Sequence, residues 1–230
     1  WKAANPDKKL DDLDFWMTGE CFGHKAEKSQ YFTSGGFDSM INFEFAPAAG
    51  SSSIPSANNV ESVYSRYANS INNDPSFNVL SYISSHDTVI AKGDRNYDGS
   101  FMLMLPGGVQ IYYGDETNRP ETAIPSGSEV GAGHQLRSFM NWNSINQGTL
   151  SHWQKVGSFR NNHIAVGAGQ HNQISAYSSS SGYTFSRTYD NGSIQDSIVA
   201  TLFAPKNTNL SVNVGSVWGD GTVVTNAYDN

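Results

Sequence analysis

The chain has 230 residues, 37% apolar and 12% aromatic, enough to close a core without staples, and its single cysteine, Cys21, rules out an internal disulfide. Acidic residues number 21 against 14 basic ones, and the net charge of −7 gives no electrostatic footprint for nucleic acid. Charged residues make up 15%, below the ~25% usual in globular domains, so Ser, Asn, Gly and Thr supply much of the surface, as in an exported protein.

No apolar run nears the roughly 20 residues that span a bilayer, so no membrane partner is expected. The chain opens Trp1-Lys2-Ala3 without an initiator Met, which points to processing or truncation upstream. After a polar stretch over Lys8 to Leu13 comes Phe15-Trp16-Met17-Thr18-Gly19-Glu20, a short apolar run ending in Gly and a carboxylate. It reads as a buried strand with a polar residue at its carboxyl end. Ser39 to Phe45 reads as a second strand. A Pro-broken loop follows, and Val63, Tyr67 and Ile71 stand at helical spacing.

Phe77 to Ile83 is a third predicted strand, ending in Ser84-Ser85-His86-Asp87. Phe101 to Leu105 is ambiguous by period, but Pro106-Gly107-Gly108 stops it as a helix end is stopped. Val109 to Tyr113 is a fourth strand, ending in Gly114-Asp115-Glu116. Leu150, Trp153, Val156 and Phe159 then mark one face of a last helix.

Strands alternating with helical segments, each with polar residues at its carboxyl end, indicate βα units in a parallel sheet. About four units fit residues 1–163, whereas a complete eight-unit barrel needs about 250 residues. The expected fold is α/β: the C-terminal half of a (β/α)8 TIM barrel. From 164 the period changes to two, over Ile174 to Tyr177, Tyr183 to Tyr189 and Ser197 to Phe203, with Asp190-Asn191-Gly192 and Gly219-Asp220-Gly221 as hairpin turns. Residues 164–230 are therefore expected to form a small antiparallel β-sandwich domain.

Cleaving a glycosidic bond needs a carboxylic acid to protonate the leaving oxygen and a carboxylate to stabilise or attack the sugar carbon. Glu20 and Asp87, each at the carboxyl end of a predicted strand, are placed for this. Trp16, Met17, Cys21 and Phe22 around Glu20 would raise its pKa by disfavouring charge, while His86 and Ser85 offer donors that keep Asp87 ionised. Phe22 and Trp142 could stack on sugar rings, and His24 is a candidate for a downstream sugar contact.

Phe15 to Glu20, Tyr82 to Asp87, Leu105 to Glu116, Arg137 to Trp142 and Trp153 to Arg160, in that order, resemble the α-amylase family of glycoside hydrolases, most closely its bacterial periplasmic members. The resemblance covers residues 1 to about 165. It implies a retaining hydrolase of α-1,4-glucans such as starch and maltooligosaccharides, periplasmic or secreted. Glu20 matches the general acid/base after the fifth barrel strand, Asp87 the third carboxylate that stabilises the transition state, and His86 a substrate hydrogen-bond donor.

In the family the nucleophile is an Asp on the fourth strand, preceded by a substrate-binding Arg. Asp7, Asp11, Asp12 and Asp14 lack that context, so the nucleophile and the family's usual calcium site are expected to be missing from this chain, and the chain alone to be inactive. The runner-up reading is a non-catalytic carbohydrate-binding or complementing fragment that works with a separate N-terminal half. An open barrel edge also predicts a homo-oligomer or such a complementing partner. Asp94, Asn96 and Asp98 match the first half of a calcium loop, although its twelfth position is Leu105 rather than Glu, which favours a polar turn before a helix.

Overall fold

The computed structural model describes residues 1–46, 53–122 and 134–228. Four short strands, β1 (Thr18–Gly19), β2 (Ser39–Asn42), β3 (Asn78–Ser81) and β4 (Gly108–Val109), form one sheet in the order 1-2-3-4, every pair parallel. Gly19 is required where it stands, because a Cβ there would come within 2.7 Å of Met40 Sδ on the neighbouring strand. The predicted run Phe15 to Glu20 shrinks to two paired residues, and Phe15 and Trp16 are exposed rather than buried. The fourth strand likewise ends at Val109, with Ile111 and Tyr113 outside the ladder and exposed.

Between the strands lie α1 (Gln30–Thr33), α2 (Val60–Tyr67) and α3 (Arg95–Leu103). The helix predicted from Val63, Tyr67 and Ile71 is present, with its last turn, Ala68–Asn72, widened to π geometry. Asp94 caps α3, its Oδ1 accepting from the amides of Asn96 (2.9 Å) and Tyr97 (3.4 Å). Gly107, at φ 79°, lets the chain turn from that helix into β4. No helix among the described residues is long and apolar enough to cross a membrane.

Helix α4 (Gln147–Asn162) lays Trp153 and Val156 against α3, and a short α5 (Ile164–Ala168) leads into an antiparallel sheet of β5 (Gln170–Ser178), β6 (Gly182–Asp190) and β7 (Gln195–Leu202) in the order 5-6-7. The expected sandwich is not formed. Among the described residues there is one antiparallel sheet, and 203–228 contains turns but no strand, including at Gly219-Asp220-Gly221. Val223 and Val224, flanking the turn at Gly219-Asp220-Gly221, are exposed rather than buried against a second sheet.

The antiparallel sheet packs instead on the helices. Tyr64 of α2 stacks on Phe101 of α3 and meets Phe185 of β6 edge-on at 5.4 Å, so one apolar core runs across the 163/164 break. Inside that core Arg187 is fully buried. Its Nη1 donates to the carbonyls of Met104 (2.7 Å) and Val166, and its Nε to His171 Nδ1 (3.2 Å). A buried cation is costly unless paired. Here Nη2 has no hydrogen-bond partner among the described residues, while the Nη1 and Nε bonds join the end of α3, α5 and two antiparallel strands and the guanidinium lies 4.9 Å from the Tyr64 and Phe185 ring centroids.

Candidate active site

The first residue after each parallel strand is Glu20, Phe43, Tyr82 and Gln110 in turn, and all four line one small hollow at the carboxyl edge of the sheet. Strand register produces this: Asn42 pairs with Ser81 and Ser81 with Val109, so Phe43, Tyr82 and Gln110 leave the sheet from one row. The Gln110 amide donates to Ser81 O at 2.8 Å and holds that row together. His86, Asp87, Ser85, Thr88 and Ile41 complete the lining, so Glu20, His86 and Asp87 meet at one place.

Beyond β3 the chain turns on Ser85. Its Oγ accepts from the amides of Asp87 (3.2 Å) and Thr88 (3.1 Å), and its own amide donates to Val89 O at 2.9 Å. This turn exposes His86 and Asp87. The His86 Nε2 lies 3.0 Å from Asp87 Oδ2, and Arg137 Nη2 donates to Asp87 Oδ1 at 2.5 Å, so both oxygens of Asp87 face donors. Burial raises the Tyr82 hydroxyl pKa above its ordinary value, and the nearby negative charges of Glu20 and Asp87 push it the same way.

Glu20 itself is exposed, as are Trp16, Met17 and Phe22. The apolar enclosure expected around it is therefore absent, because those side chains turn outward rather than over the carboxyl. Phe22 lies outside the lining and touches it only through an edge contact with Phe43 at 5.2 Å. Trp142 stands exposed on a short 3-10 turn away from the lining. His24 is buried, its Nε2 3.0 Å from Ser29 Oγ and its ring between Tyr31 and Phe32, which makes it a packing residue shut off from a sugar.

Under the turn sits a buried charge cluster. Ser84 Oγ donates to Asp115 Oδ1 (2.6 Å) and accepts from the Ala91 amide (3.0 Å), while Arg95 Nη1 lies 3.5 Å from Asp98 Oδ2 and 3.9 Å from Asp115 Oδ1. One cation faces two carboxylates in a buried site. Burial raises both carboxyls from 3.8 to about 6, Arg95 opposing the shift in each. This geometry does not fit calcium at Asp94, Asn96 and Asp98. Asp94 Oδ1 faces the amides of its own helix, Asp98 faces the Arg95 guanidinium, and no group of three or more His, Cys, Asp or Glu side chains suited to a metal occurs among the described residues.

Tyr82, Gln110, Thr88 and Arg137 are not among the residues that the sequence singles out for the site. Gln110 falls inside the predicted strand Val109 to Tyr113, and only the end of pairing at Val109 puts it at a strand's carboxyl end. Arg137 is set by Arg119, which donates to Leu136 O (3.2 Å) and to Tyr113 O (3.0 Å) and so ties the 134–138 segment to the loop after β4.

No family model matches the chain. Over 173 residues, 74% of this chain, it is 42% identical to the periplasmic alpha-amylase of Escherichia coli K12, of which the match covers 24%. The chain thus spans about a quarter of that relative's length. Among solved structures it superposes on an Anoxybacillus alpha-amylase with a TM-score of 0.53 at 16% identity, covering 83% of this chain and 40% of that one. A cyclomaltodextrinase gives 0.50 at 21% identity, covering 86% and 32%. The two solved structures are alike in fold alone, and by the sequence likeness the chain belongs to the α-amylase family.

Proposed function

We propose that this segment supplies the general acid/base, Glu20, and the transition-state-stabilising carboxylate, Asp87, of a periplasmic or secreted α-amylase-type hydrolase of α-1,4-glucans. The observation that carries the reading is the meeting of Glu20, His86 and Asp87 in one hollow at the carboxyl edge of a parallel sheet. Glu20 donates its proton to the glycosidic oxygen as the bond to the leaving sugar breaks. His86 and Asp87 hold the hydroxyls of the ring left behind, and Asp87 opposes its developing positive charge. In a retaining route the attacking carboxylate comes from another segment, and Glu20 then takes a proton from the incoming water.

A complementing role is favoured by two features. The hollow holds about 50 Å³, far below the roughly 300 Å³ of an ordinary ligand pocket. In addition, β1 ends the described sheet with Phe15 and Trp16 exposed beside it, which suits pairing with further chain, from an N-terminal fragment or a second copy. The test is a reducing-end assay on maltoheptaose with the 230-residue chain alone and mixed with the remaining part of a full-length α-amylase. Activity in the mixture that Glu20→Gln abolishes supports the reading. Unaltered turnover by Glu20→Gln and Asp87→Asn would refute the assigned roles.

A further inference from the structure

At the opposite edge of the parallel sheet, by the amino ends of its strands, lies a cavity of about 600 Å³, well apart from Glu20 and Asp87. Trp16, Asp38 and Asn78 enter it from just before or at the start of β1, β2 and β3. Asn72 closes one side after α2, and His163 and Tyr189 come from the antiparallel side. The volume falls within the ~300–1,000 Å³ of small-molecule sites.

The polar groups here are fixed at one edge and open at the other. Asn78 Oδ1 accepts from the Val79 amide (2.8 Å) and the Gly108 amide (3.3 Å), which leaves its Nδ2 to donate. Asn72 Nδ2 donates to Gly169 O (2.6 Å), leaving its Oδ1 to accept, and His163 Nδ1 meets Asp196 Oδ1 (2.9 Å), leaving Nε2. Arg160, the one guanidinium lining the cavity among the described residues, is directed at the carbonyls of Leu103, Leu105 and Gly107 and offers little to an anion. Trp16 is half exposed, its indole Nε1 anchored on Thr18 Oγ1 at 2.9 Å.

Preset donors and acceptors, with no free Lys or Arg in the lining among the described residues, beside an open indole face, match a neutral ring that is apolar on one face and hydroxylated at its rim. We infer that this cavity is a second saccharide site, holding one or two pyranose units of a neutral oligosaccharide. That the sugar is an α-glucan rests on the proposed hydrolase reading; the existence of the site does not.

Titrating maltotriose into the 230-residue chain, followed by NMR of the Asn78 side-chain amide and by calorimetry, tests it. Binding should shift the Asn78 resonances. Trp16→Ala, at an exposed position, should weaken that binding about three- to tenfold, the worth of one ring contact, and His86→Ala in the hollow should leave it unchanged. Binding lost in His86→Ala and kept in Trp16→Ala would overturn the second site while leaving the hydrolase reading intact. Asn78 resonances that stay fixed at saturating maltotriose, in a chain shown by circular dichroism to be folded, would overturn it as well.

Discussion

Replacing Asp115 by Asn should stabilise the protein at neutral pH and leave it unchanged in acid. Asp115 and Asp98 share the single Arg95 guanidinium, and burial raises each carboxyl from 3.8 to about 6. A folded-state pKa above the unfolded value means that the native state holds the proton more tightly. The favourable contribution is complete below pH 3.8 and is lost as pH rises through about 6. For one group the loss comes to about 3 kcal/mol, at about 1.4 kcal/mol per pH unit. Asn keeps an oxygen to accept from Ser84 and leaves Arg95 paired with Asp98 alone, so the variant escapes the ionisation cost at Asp115. Burial lowers the His171 pKa, which costs stability as pH falls below 6.5, but this acts equally on both proteins. The difference between wild type and variant therefore isolates the cluster. Urea unfolding from pH 4 to 8 should show that difference near zero at pH 4 and growing to between about 1 and 3 kcal/mol by pH 8. A variant less stable at pH 8 than at pH 4, relative to wild type, would refute the charge-crowding argument.

Gly99→Ala places a Cβ within 2.6 Å of Trp153 Nε1 where α3 meets α4, and equilibrium unfolding should register a loss of about 1–3 kcal/mol from overpacking. Arg187→Ala strips the carbonyls of Met104 and Val166 of their donor inside the core. A loss of about 3 kcal/mol or more is expected, with hydrogen exchange accelerating first in β5 to β7. Asp94→Ala removes the cap of α3 and should cost about 1 kcal/mol. Adding calcium or a chelator should leave the melting temperature of the wild type unchanged, and a calcium-dependent rise lost in Asp94→Ala would contradict the capping assignment.

The tendency of polar residues to gather where parallel strands end points to Glu20 and Asp87 in the sequence, and both line the hollow. Phe43, Tyr82 and Gln110 are hidden in the sequence because apolar runs extend over them, although pairing stops just before each. Strand lengths were overread because hydrophobicity does not report hydrogen bonding: Phe15, Trp16, Ile111 and Tyr113 are apolar yet stand outside the ladder. His24 looked like a sugar ligand by its nearness to Glu20 in sequence, whereas a turn closed by His24 N to Cys21 O at 2.9 Å carries it into the aromatic packing. The charge cluster at Arg95 is hidden in the sequence because its members come from three separate stretches, whereas the polar turn favoured at Asp94 is found, with Asp94 capping the helix that follows.

Within the row formed by Phe43, Tyr82 and Gln110, one position separates two design problems that most folds entangle. Each residue begins where ladder pairing stops, so the polarity of the hollow can be altered at the partly buried Gln110 while the strand pairing that aligns it is left alone. Phe43, buried against Tyr82 and Val89, ties the same hollow to the core, so variation there would draw on conformational stability.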